Sequence, residues 1–335
     1  MKTRKFVVTI LSVVLMAAIF AQAEVNEPAV KKEADAKKID LKLNLQKGQK
    51  FGTLMTTDMK ITQTMMGQEI KVGQLSTMGL NNEVLDVDAN GIISLKMAYT
   101  TMKMKMDGPT GPIEYDSTKP EQDVNSPQAK MMIGMYSAML GQDLIMKVNP
   151  KGKVVGIEGF NAMMDEMAQK MGAMDPNAAK AMKGMLKNFM NEDKIKQMGG
   201  GMMAAFPEEH VGIGDMWHDI VSIDLGFPMD VDTTYVLKER KDGVALMDVI
   251  SKMDMGDDNS KLIEMNGMKI NMQMTGGMQG DMEVDEATGW MLRSKTDMRF
   301  SGVMKIGGSP QMPDGMSVPM SIVGTVTVEP LEIKN

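Results

Sequence analysis

The sequence predicts a mainly β protein of the α+β type. Two similar antiparallel β meanders form an open or half-barrel sheet, with a methionine-rich helical insert between them. Three observations predict it. From Met268 to Val284 one parity is apolar or glycine throughout, while the other carries Lys269, Asn271, Gln273, Thr275, Gln279, Asp281 and Glu283. That is the period of a strand with one dry and one wet face. Between Phe160 and Phe206 the methionines fall instead at helical spacing: Met163, Met164, Met167, Met171 and Met174, then Met182, Met185 and Met190. Finally, strand–turn–strand patterns in the first half recur in the second.

Taken in order, residues 1–23 have the layout of a secretory signal peptide. Lys2, Arg4 and Lys5 precede an apolar run, Phe6 to Phe20, and Ala21-Gln22-Ala23 offers a small-residue cleavage site. The expectation is an exported protein, periplasmic or secreted. The 335 residues contain no cysteine, which excludes disulfides and the acylated cysteine of a lipid anchor. Loss of the three leader cations takes the formal charge from −7 to about −10, a field that disfavours nucleic acid and anionic membrane surfaces. No later segment is long and apolar enough to span a bilayer. Residues 24–38, rich in Ala, Lys and Glu, read as a disordered leader.

The first meander, with one helix, is expected over 39–159. Apolar odd positions from Phe51 to Met65 are followed by Gly67 and by apolar even positions Ile70, Val72, Met78 and Leu80, interrupted by Gln74 and Ser76. Asp88-Ala89-Asn90-Gly91 is a hairpin-turn signal. The apolar parity then changes between Tyr99 and Met102, which predicts a bulge near Thr100. Residues 108–127 read as a Pro-rich loop, and Ser126-Pro127 as the start of a helix to about Leu140. Leu144 to Gly159 returns to strand, turn and strand. The helical insert occupies 160–206, with Asp175-Pro176 restarting it and Gly199 to Gly201 breaking it. The second meander follows over 207–335. In it, Gly214-Asp215-Met216-Trp217 matches Gly48-Gln49-Lys50-Phe51, and Met282-Glu283-Val284 before Gly289 matches Met146-Lys147-Val148 before Gly152.

Methionine dominates any functional reading, with 44 in the chain. Thioethers suit Cu(I) or Ag(I), but same-face neighbours on one strand lie about 6.5–7 Å apart, and a metal–sulfur bond is near ~2.3 Å. Convergence therefore needs an adjacent strand. As core filler, methionine is flexible and specifies shape poorly. A surface accepting variable apolar guests gains from that looseness. The candidate ligand-binding residues are Met102, Met104, Met106, Met163, Met167, Met171, Met268, Met272, Met274, Met278 and Met282. They predict a groove for a lipid-like apolar small molecule between sheet and helices. Soft-metal sequestration and an envelope structural or interaction protein are the alternatives.

Other chemistry is sparse. Asp86 to Ser94 fits the first nine positions of an EF-hand loop, but the twelfth position is Met97 rather than glutamate. His210 and His218 are the only histidines, and His218-Asp219 is a slight acid–base hint. No G-x-S-x-G, Walker or H-E-x-x-H pattern occurs. The expectation is a non-enzymatic protein without cofactor or metal.

The Leu144–Gly159 hairpin, the Asp86–Gly91 turn and the Val211–Trp217 segment resemble an uncharacterised family of exported bacterial proteins, catalogued as a domain of unknown function. Leader, meanders and helical cover are also similar in architecture to periplasmic lipoprotein-carrier and lipid-binding half-barrels. That likeness implies an interior able to hold acyl chains, with no residue-level correspondence.

Overall fold

The computed structural model describes residues 38–109, 111–119, 133–134, 136–174, 205–224, 228–255, 263–265, 268–307 and 315–333. Its strands are β1 (Lys50–Met65), β2 (Gln68–Val87), β3 (Ile93–Asp107), β4 (Ile113–Asp116), β5 (Asp143–Val148), β6 (Val154–Glu158), β7 (Met216–Asp224), β8 (Pro228–Lys241), β9 (Val244–Asp254), β10 (Ile263–Met265), β11 (Met268–Asp285), β12 (Met291–Gly307) and β13 (Met316–Pro330). One helix, α1 (Phe160–Met174), follows β6. The backbone at 133–134 and 136–139 is also helical, within the helix expected to end near Leu140. The rest of that helix, the leader residues 1–37 and residues 175–204 of the insert lie outside the described residues, and 205–206 at the insert's end are not helical.

All thirteen strands join one antiparallel sheet in the order β6-β5-β3-β2-β1-β13-β12-β11-β9-β8-β7, with β4 on β3 and β10 on β11. The chain starts in the middle, steps outward to β6, crosses to the far edge at β7, and steps back until β13 pairs with β1. This is the expected pair of meanders, merged into one open sheet. Residues 113–116, read from sequence as part of a loop, pair with β3 instead. The run is too short for its alternation to stand out among prolines and glycines.

The duplication is written in hydrogen bonds. Gly48 N donates to Val84 O and Val84 N to Gln49 O; Gly214 N donates to Leu237 O and Leu237 N to Asp215 O. The same β2–β3 and β8–β9 pairs then carry an extra residue, Leu85 and Lys238. The β5–β6 and β11–β12 pairs shift register at Lys147/Val148 and Glu283/Val284, each beside a turn closed by a left-handed glycine, Gly152 or Gly289. Thr100 is the extra residue opposite Gly79/Leu80, where the parity change placed it.

The sheet is not closed by a β6–β7 ladder, yet its edges meet at one end. Ile39 pairs with Val211, Leu43 N donates to Pro150 O and Asn44 N to Thr288 O, and Phe206 N donates to Lys151 O. The Lys151 ammonium adds a bond to Pro207 O at 2.6 Å. Residues 39–45 and 205–211 thus tie the turns of both halves together. Leu41, Leu43 and Leu45 bury themselves there with Val84, Leu95, Val148, Leu237 and Val284. Residues from strands far apart in the sheet order share this core, so the sheet is rolled.

Two features loosen the roll elsewhere. Gly280, Gly302 and Gly324 bring their backbones so close to the next strand that a Cβ would lie within about 2.5 Å of a carbonyl oxygen, the in-strand glycines that let a sheet bend sharply. The β9–β11 ladder is a single pair, Asp285 with Val244, flanked by two further backbone bonds, Glu286 N to Gly243 O at 2.8 Å and Met255 N to Met274 O at 3.2 Å.

Candidate functional site

Register assigns every strand residue to a face. Cross-strand partners on the inner face run Met102, Met78, Met55, Val328, Ser294 and Met282 across β3, β2, β1, β13, β12 and β11. The next rows contain Met104, Ser76, Thr57, Val326, Thr296 and Gly280, then Met106, Gln74, Met59, Gly324, Met298 and Met278. The opposite parity carries Asp58, Lys60, Lys103, Lys105, Lys295, Asp297, Arg299 and Lys305. Apolar inside and charged outside is the inverse of a transmembrane β-barrel, whose lipid-facing band is apolar. Among the described residues no helix is long and apolar enough to cross a membrane.

The interior divides by residue type. The core at the tied end has fifteen described buried members, five of them leucine and two, Met146 and Met247, methionine. The larger cluster over the rest of the face has twenty-five, fourteen of them methionine and none leucine. Branched side chains with few rotamers fix the tied end, whereas thioethers on three torsions line the remainder. Tyr136, stacked on Tyr115 at 6.2 Å between centroids, and Met139 pack on the methionine cluster from the helical stretch 136–139. Burial alone pushes the Tyr136 hydroxyl up to about 12.

Of the methionines singled out from sequence, Met102, Met104, Met106, Met272, Met274 and Met278 are buried together in this cluster. Met282 is half-buried at its border with the tied end. Met163 is buried on α1 and is not among the cluster's described members. Met268 opens β11, and Met167 and Met171 lie in α1; their side chains lie outside the described residues.

Sequence reasoning missed the polar groups on the same face. Thr57, Gln63, Gln74, Ser76, Thr233, Ser251 and Thr296 are all buried there. Thr233 and Ser251 hydroxyls satisfy each other at 2.9 Å, but Thr57 Oγ1 and Gln63 Oε1 have no hydrogen-bond partner. The signal was present as polar residues in the apolar parity, noticed only for Gln74 and Ser76. At the β7 border Trp217 stacks on Tyr235 at 5.5 Å and donates its indole N–H to Ala205 O at 2.7 Å. Burial, above all, pushes Tyr235 up to about 12.

The other sequence candidates are structural. Asp88 Oδ1 accepts the Asn90 and Ile92 amides at 2.8 and 2.9 Å, so the EF-hand-like stretch is an Asx-type hairpin turn. His218 and Asp219 are adjacent on β7 and face opposite ways. His218 Nδ1 lies outside, 3.1 Å from Thr234 Oγ1, and forms no dyad with Asp219. No group of three or more metal-ligating His, Cys, Asp or Glu occurs among the described residues.

No curated protein matches the chain. Among solved structures, lipovitellin is similar at 10% identity and a TM-score of 0.44, over 87% of this chain and 26% of its own, so the chain spans about a quarter of lipovitellin's length. An outer membrane channel from Pseudomonas putida F1 is similar at 7% identity and a TM-score of 0.22, over 86% of this chain and 97% of its own. DynF from the dynemicin biosynthesis pathway of Micromonospora chersina is similar at 8% identity and a TM-score of 0.18, over 93% and 94%. Likenesses this distant carry no function to the chain. The family resemblance read from the hairpins is the informative one: a family profile matches residues 90–291, and the chain belongs to the Family of unknown function (DUF6263).

Proposed function

We propose that this protein is an exported, non-catalytic binding protein that holds an apolar, lipid-like molecule against the methionine-lined face of its rolled sheet. The observation that carries the reading is the segregation of core types. A chain that used methionine only as filler would mix it with leucine throughout. Here leucine and valine dominate the tied end, with two methionines among fifteen, and fourteen of the twenty-five buried residues of the other face are methionine, with no leucine. A flexible lining accepts guests of differing shape at little strain, and each methionine side chain kept from water contributes about 1.5–3 kcal/mol.

Extraction of the protein after export, followed by mass spectrometry of the organic phase, tests this together with uptake of the neutral dye N-phenyl-1-naphthylamine. Co-purifying lipid or saturable dye uptake supports the reading. Clean protein that takes up no dye refutes it.

A second reading has an observation of its own. Met55, Met78 and Met102 are direct cross-strand partners, and such neighbours approach to about 4.5–5.5 Å between Cβ atoms, close enough for three thioethers to share a Cu(I) or Ag(I). Titration with Ag(I) separates the two: stoichiometric binding lost in Met78→Leu favours the metal.

A further inference from the structure

We infer that the molecule held on this face carries an uncharged hydrogen-bonding head group, such as an ester, amide or hydroxyl, and not a carboxylate or phosphate. This rests on the reading of the face as a site for an apolar molecule. The charge distribution comes first. Along the methionine-lined part of the inner face no described strand residue is Lys or Arg, and a single acid, Asp219 on β7, is present; the one inward cation, Arg240 opposite Ala245, lies at the tied end and is held by Glu286. The cations of β1, β3, β11 and β12 all occupy the outward parity. An anion taken from water onto the methionine-lined part loses its hydration and finds no countercharge there, Arg240 being engaged by Glu286 at the tied end, a cost that neutral hydrogen bonds do not offset. Asp219 adds repulsion of the same sign.

The second observation concerns neutral groups. Gln63 and Thr57 are 5% and 2% exposed, lie on the inward parity of β1, and have Oε1 and Oγ1 unpartnered. Thr57 shares its row with Ser76 and Thr296. Gln63 lies six residues along the same strand, about 20 Å away at the usual rise, between Ile70 and Met320. Pure hydrocarbon would leave both atoms unsatisfied, which is costly for a buried polar group. A ligand with an apolar body and a neutral donor–acceptor head satisfies at least one and leaves the thioethers to the body. Hydroxyl and amide side chains discriminate well between a guest that fills their hydrogen bonds and one that does not.

The experiment displaces N-phenyl-1-naphthylamine from the full exported chain with three probes of equal chain length: a monoacylglycerol, the ionised fatty acid and the n-alkane. The monoacylglycerol is expected to displace dye at a concentration roughly tenfold or more below the other two. The double variant Thr57→Val, Gln63→Leu is expected to keep dye binding and lose the preference for monoacylglycerol over alkane. It replaces unpartnered polar atoms by apolar ones, so its urea midpoint should not fall, which keeps misfolding from imitating the result. Equal or better displacement by the carboxylate overturns the head-group inference alone, as does a variant that retains the preference. Failure of dye and all probes to bind overturns this inference and the proposed function together.

Discussion

Leu237→Ala and Met298→Ala, compared in ligand-free protein, measure whether the two parts of the interior differ in stiffness. Leu237 is fully buried in the tied end, and its backbone is pinned on both sides, accepting from Gly214 N and donating to Asp215 O. Its register partner Met247 is a thioether, but the rest of its surroundings, Leu41, Val84, Val148 and Val284, are branched side chains with little freedom to move into a void. Truncation should therefore leave most of the cavity open, at the upper end of the usual range, about 4–5 kcal/mol. Met298 is buried almost as well, at 4% exposure, but its register partners are Met278 on β11 and Gly324 on β13. Thioethers there can swing into the vacated space, and the cavity contribution, about 24 cal/mol per Å³, is correspondingly small. The expected loss is about 2–3 kcal/mol. Urea titration by far-UV circular dichroism, at matched slope, gives both values. Equal losses, or a larger loss for Met298→Ala, would show the methionine face to be as rigidly packed as the tied end and would remove the physical basis for an adaptable lining.

Three further outcomes follow from local geometry. Arg240 donates from Nε and Nη2 to the two carboxylate oxygens of Glu286, each at 2.8 Å, and that hydrogen bonding holds Glu286 below the ordinary carboxylate value. Because the folded value is the lower one, this stabilisation is complete above the unfolded carboxylate range and is lost as pH falls through the folded value. Glu286→Gln should cost about 1–2 kcal/mol at pH 7 and flatten the stability profile in acid; an unchanged profile would discount the pair. Hydrogen exchange should be faster in Leu246–Met253 of β9 than in Ile93–Ala98 of β3, which form a six-pair ladder with β5; protection equal in the two segments would contradict the seam. Dilute peroxide, followed by peptide mass spectrometry, should oxidise Met66 and Met216, 69% and 53% exposed, before Met102, Met272 or Met304. Simultaneous oxidation would mean that the inner face is wetted.

The strands were legible where the alternation was long. Residues 268–284 form a strand with Ile270, Met272, Met274 and Met278 inward, because one-sided burial imposes period two on the sequence. The Thr100 bulge was legible for the same reason, since an extra residue flips the parity of everything after it. What stayed hidden depended on distant partners. That the two meanders merge through β1 and β13 is decided by pairing between segments some 260 residues apart, which no local pattern encodes. Thr57 and Gln63 stand in the apolar odd parity of β1 and could have been placed inward from it, but that their oxygens lack partners depends on the neighbouring strands. The short β4 carried too few alternations to separate it from the loop around it. The split between leucine-rich and methionine-rich cores was equally invisible, since both parts draw on the same strands and differ in position along them.

That split also explains how the duplication is used. Both halves repeat the same devices at the same end: a left-handed glycine before the first strand, a bulge after Val84 or Leu237, and a glycine-closed turn at Gly152 or Gly289. Each device fixes backbone direction with local hydrogen bonds, so this end is specified twice and then tied by residues 39–45 threading between the copies. The strands leaving it are held by their ladders and by the methionine cluster on their inner face, with a single ladder pair between β9 and β11. A frame rigid at one end and relaxing along its strands is the arrangement in which interchangeable, flexible side chains cost least. Most of the buried methionines lie along that relaxing length, where a core of leucine would have had to match a shape the backbone does not hold fixed.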